Sequence, residues 1–139
     1  MQEFVWPTRV YYEDTDAGGV VYHASYLRFM ERARTEWLRG LGFEQDRLAE
    51  EHGVIFAVRR VALEYLAPAR FNDLLQVSVR LSELRRVSMT FAQEVTRPRD
   101  GLRLCGGEVR IACVDIRGPR PRAIPKQLLD RVEEALGAD

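Results

Sequence analysis

Four side chains able to take part in chemistry crowd into one short stretch. Asp14, Asp16, His23 and Ser25 all fall within Tyr-Tyr-Glu-Asp-Thr-Asp-Ala-Gly-Gly-Val-Val-Tyr-His-Ala-Ser-Tyr, which begins at Tyr11. The apolar pattern after it predicts a helix starting at about His23 or Ser25, so the stretch ends on a helix N-terminus. The first N–H groups of a helix have no internal partner, and the aligned peptide dipoles leave roughly half a positive charge there. Such an end holds an anion or polarises a carbonyl oxygen that is becoming one. Asp16, upstream across the Ala17-Gly18-Gly19 turn, can fold back to the same place. A carboxylate facing an electrophilic carbon whose oxygen points at backbone donors is a minimal acyl-transfer site. The same residues also have plainer uses, Asp14 and Asp16 as turn formers and His23 and Ser25 as helix caps. Metal binding by Asp14, Asp16, His23 and Glu31 lacks both ligand spacing and a paired-histidine motif, so no metal is expected.

The elements that must position these groups can be read from periodicity. Val5 to Tyr12 alternates as a first strand, with Val10 and Tyr12 on one face and Pro7 confining it to an edge. Tyr26, Met30, Ala33, Trp37 and Leu41, widened by Leu27, Phe29 and Leu38, make an apolar helical stripe that ends near Leu41 at Gly40 and Gly42. Gln45 to His52 reads as a short second helix closed by Gly53. The period then becomes alternating through Val54 to Tyr65, Leu74 to Leu84, Val87 to Thr96 and Leu102 to Asp115. Turns at Arg85-Arg86 and at Arg97-Pro-Arg-Asp-Gly101 make the last three strands an antiparallel meander. Arg117 to Pro125 is an extended strap, and Pro125 takes a first-turn position of a terminal helix from Lys126 to Leu136. The expected class is α+β, an antiparallel five-stranded sheet wrapped around one long helix, with edges and apolar area left over for at least a dimer.

Composition bounds the rest. At 139 residues the chain has the size of one domain, 1–139, and its 46% apolar and 30% charged content is ordinary for a globular protein. With 21 basic and 21 acidic side chains it has no overall field for nucleic acid or anionic membrane. The bases are arginine except Lys126, and Arg85, Arg86, Arg97, Arg99, Arg103, Arg117, Arg120 and Arg122 cluster in the second half, as a solvated face or as phosphate partners. No secretory signal and no membrane-length apolar run is found, so a cytoplasmic protein is expected. Cys105 and Cys113 sit too far apart along one strand to be bridged and are expected as buried thiols.

Arg9 to Arg34, Val61 to Arg70 and Cys113 to Pro125 together resemble the 4-hydroxybenzoyl-CoA thioesterase family of hotdog enzymes. Within it the likeness is greatest to the bacterial acyl-CoA thioesterases encoded with the Tol-Pal envelope system. By that resemblance the essential carboxylate falls on Asp16, and the position whose backbone N–H polarises the thioester carbonyl falls on His23. The founding enzymes have Tyr at this second position whereas the Tol-Pal-associated group has His, which turns the expectation from a hydroxybenzoyl substrate toward short or medium acyl chains. The implied reaction is hydrolysis of acyl-CoA to a free acid and coenzyme A, Asp16 either attacking the carbonyl or activating a water. No cofactor is implied, coenzyme A being part of the substrate. Tyr12, Gly19 and Val20 around the loop are expected at the substrate. The resemblance sends the acyl group between the long helix and a neighbouring subunit's sheet, with Tyr26, Met30, Phe56 and Val58 as candidate walls. It leaves Arg59, Arg60, Arg85, Arg86 and Arg99 for the nucleotide phosphates. A dimer or tetramer is implied, with acyl carrier protein a further candidate partner. Two other functions fit such a fold: a dehydratase or hydratase, and a non-catalytic oligomeric module that binds acyl carrier protein. The Asp-x-Asp-x-Gly-Gly-x-x-Tyr-His run fits the hydrolase better.

Overall fold

The computed structural model describes residues 3–118 and 120–137. Its strands are β1 (Phe4–Arg9), β2 (Val54–Tyr65), β3 (Leu74–Leu84), β4 (Ser88–Arg97) and β5 (Leu102–Asp115), and its helices α1 (Ser25–Gly40), α2 (Gln45–His52) and α3 (Lys126–Leu136). The five strands form one antiparallel sheet in the order β1-β3-β4-β5-β2, so the meander β3-β4-β5 is its centre and β1 and β2 its edges. Pro7 lies on the β1 edge, where a missing N–H costs least.

The helical stripe and the alternating strands meet in one core. Tyr26, Phe29, Met30, Ala33 and Trp37 of α1 are buried, and Trp37 packs edge-on against Phe91 of β4 with ring centroids 5.2 Å apart. Val77, Val79, Met89, Phe91, Val109 and Cys113 supply the sheet side. A sheet curled around one long helix is the hotdog arrangement that the periodicity predicts. Both cysteines are free and buried.

Several boundaries differ from the expectation for local reasons. The first strand stops at Arg9 because the Asp14 carboxylate accepts the Tyr11 N–H at 2.8 Å and bends Tyr12–Asp14 into a 3-10 turn. The expected alternation therefore breaks: Val10 is buried, while Tyr12 is exposed and stacks on Phe71 at 3.8 Å. The helix begins at Ser25 with Ala24 as its cap residue and no side-chain cap, so neither His23 nor Ser25 caps it. Pro125 stands at the cap position of α3 rather than inside its first turn, and its carbonyl accepts the Leu129 N–H. The strap from Arg117 is fastened by the Asp115 carboxylate, which accepts the Arg117 N–H at 2.9 Å and Arg122 Nη1 at 2.9 Å. Pro119 of that strap lies outside the described residues.

Candidate active site

Residues 15–21 form a tight hairpin. Thr15 pairs with Val21, the Asp16 N–H donates to the Val20 carbonyl at 2.9 Å, and the Gly19 N–H donates to the Asp16 carbonyl at 3.0 Å. Gly19 has φ +80°, a conformation that side chains other than glycine's resist, and this lets the turn close. At its tip the Asp16 side chain is exposed and accepts one hydrogen bond, Gly18 N–H to Oδ1 at 2.8 Å. Asp16 thus forms the local turn that its residue type predicts, with Oδ2 unpartnered among the described residues.

The hairpin is tied to the helix start through Asp14. The Asp14 carbonyl accepts the Tyr22 N–H at 2.8 Å and the Ser25 hydroxyl at 3.4 Å, and the Tyr22 carbonyl accepts the Ser25 N–H. The Asp14 carboxylate is buried, and its Oδ1 has no hydrogen bond; the nearest cation is Arg28 at 3.9 Å, itself bonded to the Ser25 hydroxyl. The next two backbone donors, the N–H groups of His23 and Ala24, donate to nothing among the described residues. They stand at the positive end of a 16-residue helix.

Tyr65, at the end of β2, fixes this helix start from the other side. Its hydroxyl donates to the His23 carbonyl at 3.0 Å, and its ring meets those of His23 and Tyr26 edge-on. Burial raises the Tyr65 phenol further above its ordinary value, so it remains a donor at neutral pH. Residue type and spacing do not single out Tyr65. The available signal was its place inside Val61–Arg70, which carries part of the family likeness. The His23 ring is exposed and leans on Tyr22 at 4.4 Å, with no hydrogen bond to Asp16 among the described residues.

The remaining candidates are dispersed. Gly19 and Val20 belong to the hairpin. Tyr26 and Met30 are core residues of α1. Phe56 and Val58 instead line a cavity of about 150 Å³ between α1 and the sheet, with Glu31, Arg34, Trp37 and Phe91 among its other walls. Arg59 and Arg60 are exposed on β2 at a bulge between Val58 and Arg60. Arg85 pairs with Glu83 at 2.7 Å, and Arg86 beside it is exposed. Arg99 lies 3.8 Å from Asp73. Arg85-Arg86 and Arg99 flank opposite ends of the ten-residue β4, about 30 Å apart, so a single chain does not present both groups to one diphosphate. Among the described residues no group of three or more His, Cys, Asp or Glu is placed to hold a metal ion.

The arrangement is therefore an exposed carboxylate on a hairpin tip, followed by a helix N-terminus where the His23 and Ala24 N–H groups are open among the described residues. The profile of the thioesterase-like superfamily matches residues 10–132. The acyl-CoA thioester hydrolase YbgC of Escherichia coli is 49% identical over 126 residues, covering 91% of this chain and 92% of that protein. The acyl-CoA thioesterase YbgC of Haemophilus influenzae is 48% identical, covering 90% of each. A solved probable thioesterase from Bartonella henselae superposes with a TM-score of 0.84 at 35% identity, covering 89% of this chain and 100% of its own.

Proposed function

The chain belongs to the thioesterase-like superfamily, and from that premise we propose that it is an acyl-CoA thioesterase whose reaction runs at Asp16 and the N-terminus of α1. The observation that carries this reading is the pair of open N–H groups at His23 and Ala24, tied to the Asp16 hairpin through the Asp14 carbonyl. The thioester oxygen would accept those N–H groups, and the negative charge it gains on addition is stabilised by two dipoles that are already oriented. Asp16 then serves in one of two ways. It attacks the carbonyl carbon, expels the thiolate and leaves a mixed anhydride that water hydrolyses, or it takes a proton from a water that attacks instead. Either route ends at a free acid and coenzyme A.

Finer features belong to the same proposal. Short or medium acyl chains follow from His rather than Tyr at position 23 in the family likeness, and the cavity by Phe56 and Val58 offers a recess of limited volume with both apolar and charged walls. Pairing of two chains along β2 is supported by its position at a sheet edge and by its exposed Ile55, Val58, Val61 and Tyr65; sedimentation at the mass of a single chain would contradict it. No helix among the described residues is long and apolar enough to cross a membrane. A cytoplasmic site of action belongs to the same proposal, as does acyl carrier protein docked by the arginine-rich second half, and a Tol-Pal association rests on the sequence likeness.

The direct test is release of free thiol from a panel of acyl-CoAs, followed with a thiol reagent. Turnover on short and medium chains is expected. Hydration of an enoyl-CoA without thiol release would point to a hydratase, and acyl-carrier binding without turnover to a binding module.

A further inference from the structure

Arg97, the last residue of β4, is among the chain's buried charged residues. All three of its guanidinium nitrogens are engaged. Nε and Nη2 hold the Asp100 carboxylate at 3.0–3.3 Å, while Nη1 donates to Asp73 Oδ2 at 3.0 Å and to the Pro68 carbonyl at 3.3 Å. Asp73 Oδ2 also accepts the Arg70 N–H at 3.0 Å. One side chain therefore fastens both ends of the segment Pro68–Asp73.

That segment is the surface on which the Asp16 hairpin is laid. Between its two fastened ends the Ala69 carbonyl accepts the Val21 N–H at 2.8 Å, and Arg70 bridges Val20. Chain entering the hairpin is held by the same segment, through the Asn72 N–H to the Val10 carbonyl and the Val10 N–H to the Asp73 carbonyl, each 2.9 Å. Among the described residues the Asp16 side chain has a single hydrogen bond, to a neighbour in the same turn. Its placement relative to the helix start is thus set by how the hairpin is docked.

We infer that Arg97 is a positioning residue for the site: by fixing the Pro68–Asp73 segment it sets where the hairpin carries Asp16 relative to the N-terminus of α1. The inference rests on the thioesterase reading of Asp16. Burying a guanidinium is costly, and an apolar residue often serves stability as well or better. What an apolar residue lacks is the planar fork that holds a carbonyl, a carboxylate and a second carboxylate in fixed directions. Lysine keeps the charge but not the fork.

The test compares Arg97→Lys with Asp100→Asn, which alters only the side of the fork turned away from the segment. Turnover is measured well below the melting temperature, together with amide hydrogen exchange. For R97K, kcat is expected to fall by about 10- to 100-fold, as small misplacements of reacting groups do, with KM within about 3-fold of wild type. The Val10 and Val21 amides should exchange faster while those of β5 do not. D100N should keep kcat within about 2-fold, because it touches neither the segment nor the site. Unchanged kcat in R97K, or equal losses in both variants that track global stability, overturns the inference. Should R97K not fold, Asp73→Asn weakens the same contact from the other side, and unchanged kcat there overturns it equally. A wild-type chain silent on every thioester defeats the thioesterase reading; selective exchange at Val10 and Val21 still decides whether Arg97 holds the hairpin.

Discussion

In the proposed reaction Asp16 and the open backbone donors divide the work, which separates the part given to His23's main chain from any part for its side chain. Among the described residues the N–H of His23 donates to nothing, its carbonyl accepts from Tyr65, and its ring rests on Tyr22 without bonding Asp16. His23→Ala keeps the N–H, so kcat is expected to stay within about 10-fold of wild type; a loss of about 10³-fold or more would put the imidazole in the proton transfers. The buried thiols are a separate matter. Burial pushes Cys105 and Cys113 from 9.0 up to about 11, which makes them poor nucleophiles at neutral pH.

Among the elements, the contact of β2 with β5 is the least forgiving. A Cβ added to Gly107 would stand 1.9 Å from the Ala62 carbonyl oxygen, and backbone on both sides leaves no flexible side chain to yield. Gly107→Ala is expected to cost about 1–3 kcal/mol or more, read as a lower urea midpoint with an unchanged slope; wild-type stability would show that the two strands can part cheaply. Much of this architecture is legible in the sequence. The bounds of α2, β2, β3 and β5 follow from period changes at Gly53, Tyr65 and Leu102, and the Asp-Gly turn does close at Gly101 with φ +67°. The site is legible only in part. Alternation through Val10 and Tyr12 hides the 3-10 turn, because the bend comes from the Asp14 carboxylate capturing a backbone N–H rather than from a periodicity. Nor does a pattern of residue types say that Arg97 is buried while Arg99, two residues on, is exposed. That depends on where Asp73, 24 residues earlier, comes to lie.

Over the whole molecule, the charged clusters set how stability responds to pH. Burial alone would raise the Asp73 carboxyl, but the Arg70 N–H and the Arg97 guanidinium outweigh it and hold it below its ordinary value. The Arg117 backbone N–H, the Arg117 guanidinium and Arg122 hold Asp115 well below the usual range against its own desolvation. Groups with depressed folded values stabilise the native state above their unfolded values near 3.8 and lose that contribution as pH falls further. The two thiols act in the opposite sense, since raised folded values give stability below 9.0 that is lost as pH climbs toward about 11. Urea midpoints measured across pH should therefore be flat from about 5 to 8 and fall on both sides. A midpoint that rose below pH 4 would contradict the role given to Asp73 and Asp115.

The proposed reaction depends on a charged carboxylate at the hairpin tip, and Asp16→Asn removes that charge with the least change around it. Asparagine keeps a side-chain oxygen for the Gly18 N–H, so the turn is preserved while nucleophile and base are both removed. With the fold confirmed by circular dichroism, kcat for thiol release from the best acyl-CoA is predicted to fall by about 10³-fold or more. Hydrolysis of acyl-CoA by D16N at the wild-type rate would place the chemistry elsewhere than at this carboxylate.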